Sequence, residues 1–194
     1  MPLYAPAGTK REIVLAPQGS HVARVVNISH IGTLEKEIQG KAKMQDTVRV
    51  TFELCDEKQS FKEGEEEKPF VISKESTLSM FSLSFLRKLA EAITKTSIPD
   101  DVADSFDITE LLGGECLLNV KHIKLPNGDT ISRVADVTPL PKGMEAPKVF
   151  NTPKFFDVNT ATMEEIGELP EFLRKKVYIT PEFVKRFPDV VSPF

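Results

Sequence analysis

The residues in this 194-residue chain with the most evident chemistry are its cations. Arg24 and Arg49 fall in β-branched runs, and Lys36, Lys41 and Lys43 lie in the stretch between them. Lys121 and Arg133 flank a second turn that contains Lys124, Asn127 and Gly128. Positive charge in two loops and on their flanking strands is what a phosphate-tracking groove needs, because repulsion along a polynucleotide backbone must be neutralised. The same lysines and arginines serve equally well to keep a β-rich surface soluble.

Other chemistries find less support. The chain has no G-x-x-x-x-G-K-[ST] phosphate loop, no G-x-S-x-G elbow and no H-E-x-x-H pair. His21, His30 and His122, with Cys55 and Cys116, lack the close spacing of structural zinc sites. Both cysteines border apolar strands and are expected as small buried residues. Glu63, Glu65, Glu66 and Glu67 form an acidic run in a turn, where repulsion favours solvation over a pKa-shifting cleft. The expectation is therefore a non-enzyme without cofactor or metal. Stacking platforms for bases are scarce, with 13 phenylalanines, two tyrosines and no tryptophan. Phe52, Phe85 and Phe106 sit in core-like contexts, which leaves Phe61, Phe70, His21 and His30 as candidate platforms.

Charge and composition bound the partners. With 25 basic and 29 acidic residues the formal charge is −4, so polyanion binding must use a local patch. Hydrophobic residues make up 40% and charged residues 28%, enough for a real core. No apolar run approaches the roughly 20 residues of a membrane span, and the N-terminus lacks a secretory pattern. A reducing cytoplasm is the expected setting, with no membrane partner.

The elements that must position these cations follow from periodicity. Residues 1–19 read as a loosely attached arm. His21 to Ile28 reads as a strand with a bulge near Val25-Val26, and residues 31–45 read as a long loop. Thr47 to Leu54 alternates cleanly, with Val48, Val50, Phe52 and Leu54 on one side and Arg49 on the other. Phe70 to Met80 is the next strand. From Ser82 or Ser84 the period becomes helical, with Leu86, Leu89, Ala90 and Ile93 on one face. Cys116–Ile123 and Ile131–Val137 form a hairpin around Pro126-Asn127-Gly128-Asp129. Five strands with a helix between the third and fourth is the element order of an OB-fold, a mainly β Greek-key barrel, expected over residues 20–139. Residues 140–194 read as a proline-rich tail with one or two short helices, Pro170 and Pro181 sitting where a first helical turn accepts proline.

The chain resembles a bacteriophage family of OB-fold single-stranded DNA-binding or replication-accessory proteins. The resemblance runs through Gly19-Ser20-His21-Val22-Ala23-Arg24 with Ile31-Gly32-Thr33, Ile72-Ser73-Lys74 and Leu86-Arg87-Lys88-Leu89. It continues through Phe106-Asp107-Ile108, Leu111-Leu112-Gly113, Cys116 to His122, Asn127-Gly128, Pro139 to Met144 and Leu169 to Leu173. It implies a protein that coats single-stranded DNA during phage replication or recombination in the host cytoplasm, and it brings Lys74 into the expected binding set. Where related chains tend to carry tyrosine this one has Ser76 and Ile131, and it has no tryptophan near Ile93. Backbone electrostatics is thus the larger expected term. The C-terminal Pro193-Phe194 resembles the tails by which bacterial single-strand binding proteins recruit replication and repair partners. The alternative is that Phe183, Phe187 and Phe194 fold back on the barrel. A protein-interaction or virion structural module is the competing function, and an oligomer is compatible with either.

Overall fold

In the computed structural model, which describes residues 14–60, 64 and 66–190, the chain is mainly β with short helices. The strands are β1 (Gly19–Ile38), β2 (Lys41–Gln59), β3 (Lys68–Thr77), β4 (Glu115–Lys124), β5 (Thr130–Thr138) and β6 (Lys154–Asp157). Hydrogen bonds link them in the order β3-β2-β1-β4-β5, all antiparallel, with β6 running parallel to β1. The sheet therefore has six strands rather than the five expected. Its hydrogen-bonded path is open between β3 and β5 among the described residues, where Lys74 Nζ reaches the Val134 carbonyl at 3.4 Å.

The expected loop at 31–45 is strand. β1 runs on to Ile38, turns at Gln39-Gly40 and returns from Lys41 as β2, in register from Gly32↔Thr47 to Ile38↔Lys41. Both turn residues have positive φ (53° and 72°), the backbone a two-residue hairpin needs to match strand twist. The bulge expected near Val25-Val26 is present as a register shift between Val25 and Asn27, and a second shift separates His30 from Gly32.

The two larger of three buried clusters lie on opposite sides of the sheet. The inner one gathers Val25, Ile28, Val48, Val50, Phe52, Leu54 and Leu118 with Leu86 and Leu89 of helix α1 (Phe85–Thr94). The alternation at Val48 to Leu54 is thus the inward side, and α1 packs on it because Leu86, Leu89 and Ala90 share a face. Ser84 caps α1 by accepting the Arg87 N–H. Helix α2 (Asp100–Ala103) and a 3₁₀ turn (Ile108–Leu111) lead back to β4.

The outer core is built by the C-terminal segment. After β6 come α3 (Met163–Glu168), α4 (Glu171–Tyr178) and α5 (Pro181–Arg186). Their Ile166, Leu173, Val177 and Phe183 bury Ile31 and Leu34 of β1. Thr162 and Glu165 form a reciprocal capping box at α3, and Pro181 occupies the first turn of α5. One edge of β1 is used in succession. β4 pairs with Gly19–Arg24, the Gly113-Gly114 backbone bonds Val25, and β6 pairs with Asn27–His30.

Candidate nucleic-acid interface

The expected binding residues separate into three groups by what each side chain touches. Arg24 and Arg49 are neutralised on the outer face of the sheet. Arg24 is buried, donating to Glu115 at 2.5 Å and to the Pro147 carbonyl at 2.8 Å. Arg49 pairs with Glu75 across the β2–β3 ladder at 3.3 Å and lies 5.0 Å from the Phe172 ring centroid. Lys74 points to the other side, into the seam between β3 and β5, with its ammonium 4.4 Å from the Phe85 ring centroid. Burial pushes the Lys74 pKa down, Arg133 and Lys88 add to that, and Asp136 opposes it. A single furrow drawn through all of these residues is therefore not what the fold builds: three of its members brace the molecule.

The remaining cations face outward on two hairpins. Lys36, Lys41 and Lys43 lie beside the Gln39-Gly40 turn, with Lys36 directly opposite Lys43 in register. Lys121 lies directly opposite Arg133 on β4 and β5, and Lys124 ends β4 beside the second turn. Like charges facing each other across a ladder destabilise it, so each pair is a local cost of the apo fold. Burial pushes the Lys36 pKa down, with Lys176 of α4 adding to it against the attraction of Glu75. Glu75 is the carboxylate shared by this face. Lys176 donates to both its oxygens at 2.6 and 2.8 Å, and Arg49 and Lys36 face it too. Burial pushes the Glu75 carboxyl up, but these cations outweigh it and hold the pKa below the ordinary range. The register sets the two cationic turns beyond opposite ends of β1, since β4 runs antiparallel from Arg24↔Glu115 to Gly19↔Val120.

Three of the candidate stacking platforms are packed away. Phe70, His21 and His30 are each less than a tenth exposed, and Phe61 lies outside the described residues. Rings that do face solvent are Phe81, Phe150, Phe155 and Phe172, of which Phe172 stands beside the lysines of α4. Nothing in the sequence marks it, because its position depends on α4 packing against β2 from more than 100 residues away in the chain. Both thiols are buried, and burial raises the pKa of Cys55 to about 11 and of Cys116 to about 12, so both stay protonated and inert near neutrality.

The C-terminal Pro193 and Phe194 lie outside the described residues. Phe183 and Phe187, offered as the fold-back alternative, do pack together with ring centroids 5.1 Å apart, and Phe183 belongs to the outer core. No helix among the described residues is long and apolar enough to cross a membrane. Compared with protein families and with characterised proteins, the chain matches none. The functional reading therefore rests on the geometry and on the residues themselves.

Proposed function

We propose that the protein binds single-stranded DNA without catalysing a reaction on it, in the replication or recombination of a bacteriophage genome in the host cytoplasm. The sheet is read as an OB-type barrel whose β3 and β5 edges meet at the Lys74 seam. The order β3-β2-β1-β4-β5, with α1 between β3 and β4, supports that reading. One observation carries the function: two exposed hairpins each set basic residues face to face, Lys36 against Lys43 and Lys121 against Arg133. A phosphate bridging either pair converts mutual repulsion into two charge-assisted contacts. Lys41 and Lys124 extend the two patches.

Anisotropy titrations of labelled oligo-dT across about 50–200 mM salt test this, because phosphate contacts make affinity fall steeply with salt. Replacing Lys41 and Lys43 together by glutamate is expected to weaken binding for every sequence tried. The log–log salt slope should shrink by about 0.7 per lost contact. Unchanged affinity in that double variant removes the β1–β2 hairpin from the site. Absence of binding by the unaltered protein at low salt removes the function.

A further inference from the structure

A wide cleft lined by none of the cations of either hairpin carries the opposite charge. It measures about 820 Å³, within the ~300–1,000 Å³ typical of ligand clefts. Met80, Phe81, Phe106, Ile108 and Phe155 supply its apolar surface. Asp100, Asp104, Asp107 and Asp157 stand around them, and neither lysine nor arginine is among the lining residues. Part of this charge is already answered. Asp100 meets Arg87 at 3.1 Å, Asp157 meets His30 at 2.7 Å, and Asp107 accepts the backbone N–H and hydroxyl of Thr109. Asp104 forms no ion pair among the described residues, and His30 brings a second carboxylate, Asp46, at 2.6 Å.

Phe81 is the cleft's anchor. The residue is 70% exposed, and with the half-exposed Phe155 it gives the cleft two solvent-facing rings. The loop that carries it is fixed by serines. Ser79 Oγ accepts the Phe81 N–H at 3.2 Å, Ser84 N donates to the Phe81 carbonyl at 2.7 Å, and Ser84 Oγ donates to the Ser79 carbonyl at 2.6 Å. The ring is thus presented on a stiff support, so little ordering entropy remains to be lost when something covers it.

We propose that this cleft receives a short segment of a partner protein in which a bulky apolar side chain is flanked by lysine or arginine. The apolar floor takes the side chain, and the aspartates take the cations and steer the encounter. Charge complementarity decides the occupant: a nucleic acid strand could stack on Phe81 and Phe155, but its phosphates would meet Asp104 and Asp107, neither ion-paired among the described residues, and no lining lysine or arginine. DNA on the hairpins and a protein segment in the cleft therefore use surfaces of opposite sign.

The test uses the full chain without nucleic acid and two fluorescein-labelled hexapeptides, KRLFKR and its charge-reversed counterpart EDLFED. Saturable binding of KRLFKR, and none of EDLFED, is expected by anisotropy. Phe81→Ser and Asp104→Lys should each weaken KRLFKR about tenfold. Both positions are exposed, and circular dichroism confirms that each variant is folded. Lys43→Glu, on the opposite-charge surface, should leave peptide affinity unchanged while altering DNA binding, which separates this site from the proposed DNA function. Equal binding of both peptides, no saturation by KRLFKR, or insensitivity to both cleft variants overturns the proposal.

Discussion

His30 on β1 and Asp157 on β6 are joined by a 2.7 Å contact at Nδ1, while the opposite ring nitrogen of His30 meets Asp46 at 2.6 Å. A neutral imidazole has one N–H and can satisfy one carboxylate; the imidazolium satisfies both. Burial works against that charge, but the hydrogen bonds and charges of Asp157 and Asp46 outweigh it and raise the pKa above 6.5. The ring therefore ties the C-terminal segment to the β1–β2 hairpin in a proton-dependent way, with Glu182 of α5 as a further carboxylate nearby.

The sign of the pH dependence follows. A raised folded-state pKa gives stability that is complete below the ordinary value of 6.5 and is lost as pH rises through the raised value. Asp157 acts in the opposite sense. Burial pushes its carboxyl up, but the Asn159 N–H and His30 prevail and hold it below 3.8, so its share is lost only as pH falls through that depressed value. Urea denaturation from about pH 6 to 9 should show stability declining with pH, and His30→Gln should flatten the decline. Identical slopes in the two proteins would mean that His30 does not titrate as a clasp.

Gly32 occupies the second register shift of β1 with φ +103°, and a Cβ there would meet Glu182 Oε2 at 2.8 Å and Thr180 Cβ at 3.1 Å. Glu182 also accepts from the Thr33 N–H and hydroxyl, so the close approach is what docks α5. Gly32→Ala should cost about 1–3 kcal/mol from backbone strain, plus the loss of those contacts. Gly128→Ala shares the positive φ but meets nothing within 4 Å, so it isolates strain from collision. Chemical denaturation of both variants reads the difference; equal losses would show that the Glu182 approach contributes nothing.

What was legible in the sequence is what local chemistry determines. The alternation from Val48 to Leu54, the helix beginning at Ser84 and the turn at Asn127-Gly128 each satisfy a short-range rule, and the fold contains all three. The extension of β1 to Ile38 was not legible because, of its apolar side chains, only Ile31 and Leu34 are buried. They are buried by residues 156–183, which no local pattern announces. The charged, glycine-containing stretch around them looks like loop when that cover is unknown. The partners of two of the cations were hidden for a similar reason. Strand alternation places Arg24 and Arg49 outward, but Glu115 and Glu75 reach them only through cross-strand neighbours distant in the chain.

Glu53 is a buried carboxylate whose role is to hold the segment leading to β6. It is 1% exposed and accepts three hydrogen bonds, from the Phe150 and Asn151 backbone N–H groups and from Asn151 Nδ2, at 2.7–3.0 Å. Glu53→Ala strands these donors and should cost about 1–3 kcal/mol. Glu53→Gln keeps an acceptor oxygen and should cost less. Limited proteolysis adds a local readout, because cleavage between residues 140 and 153 should accelerate in the alanine variant ahead of cleavage in β1 or β2. Uniform acceleration throughout the chain would mean that Glu53 supports the whole fold rather than that segment.

Arg24 and Lys43 should respond in opposite ways, and the contrast tests the division between bracing and binding cations. Arg24 is closed off by Glu115 and the Pro147 carbonyl, so Arg24→Ala should lose about 1.5–3 kcal/mol of stability, the range for hydrogen bonds to a charged group. Its oligo-dT salt slope should not move, since a neutralised guanidinium releases no counterion from DNA. Lys43 is exposed and opposes Lys36 across the ladder. Lys43→Ala removes a repulsion, so stability should hold or rise slightly, while the salt slope falls by about 0.7. Denaturation and salt-titrated anisotropy on the same two variants give four readings. If Arg24→Ala lowers the slope at full stability, the arginine is reaching DNA despite its glutamate. If Lys43→Ala leaves the slope intact, the like-charge pair of the β1–β2 hairpin is not a phosphate site.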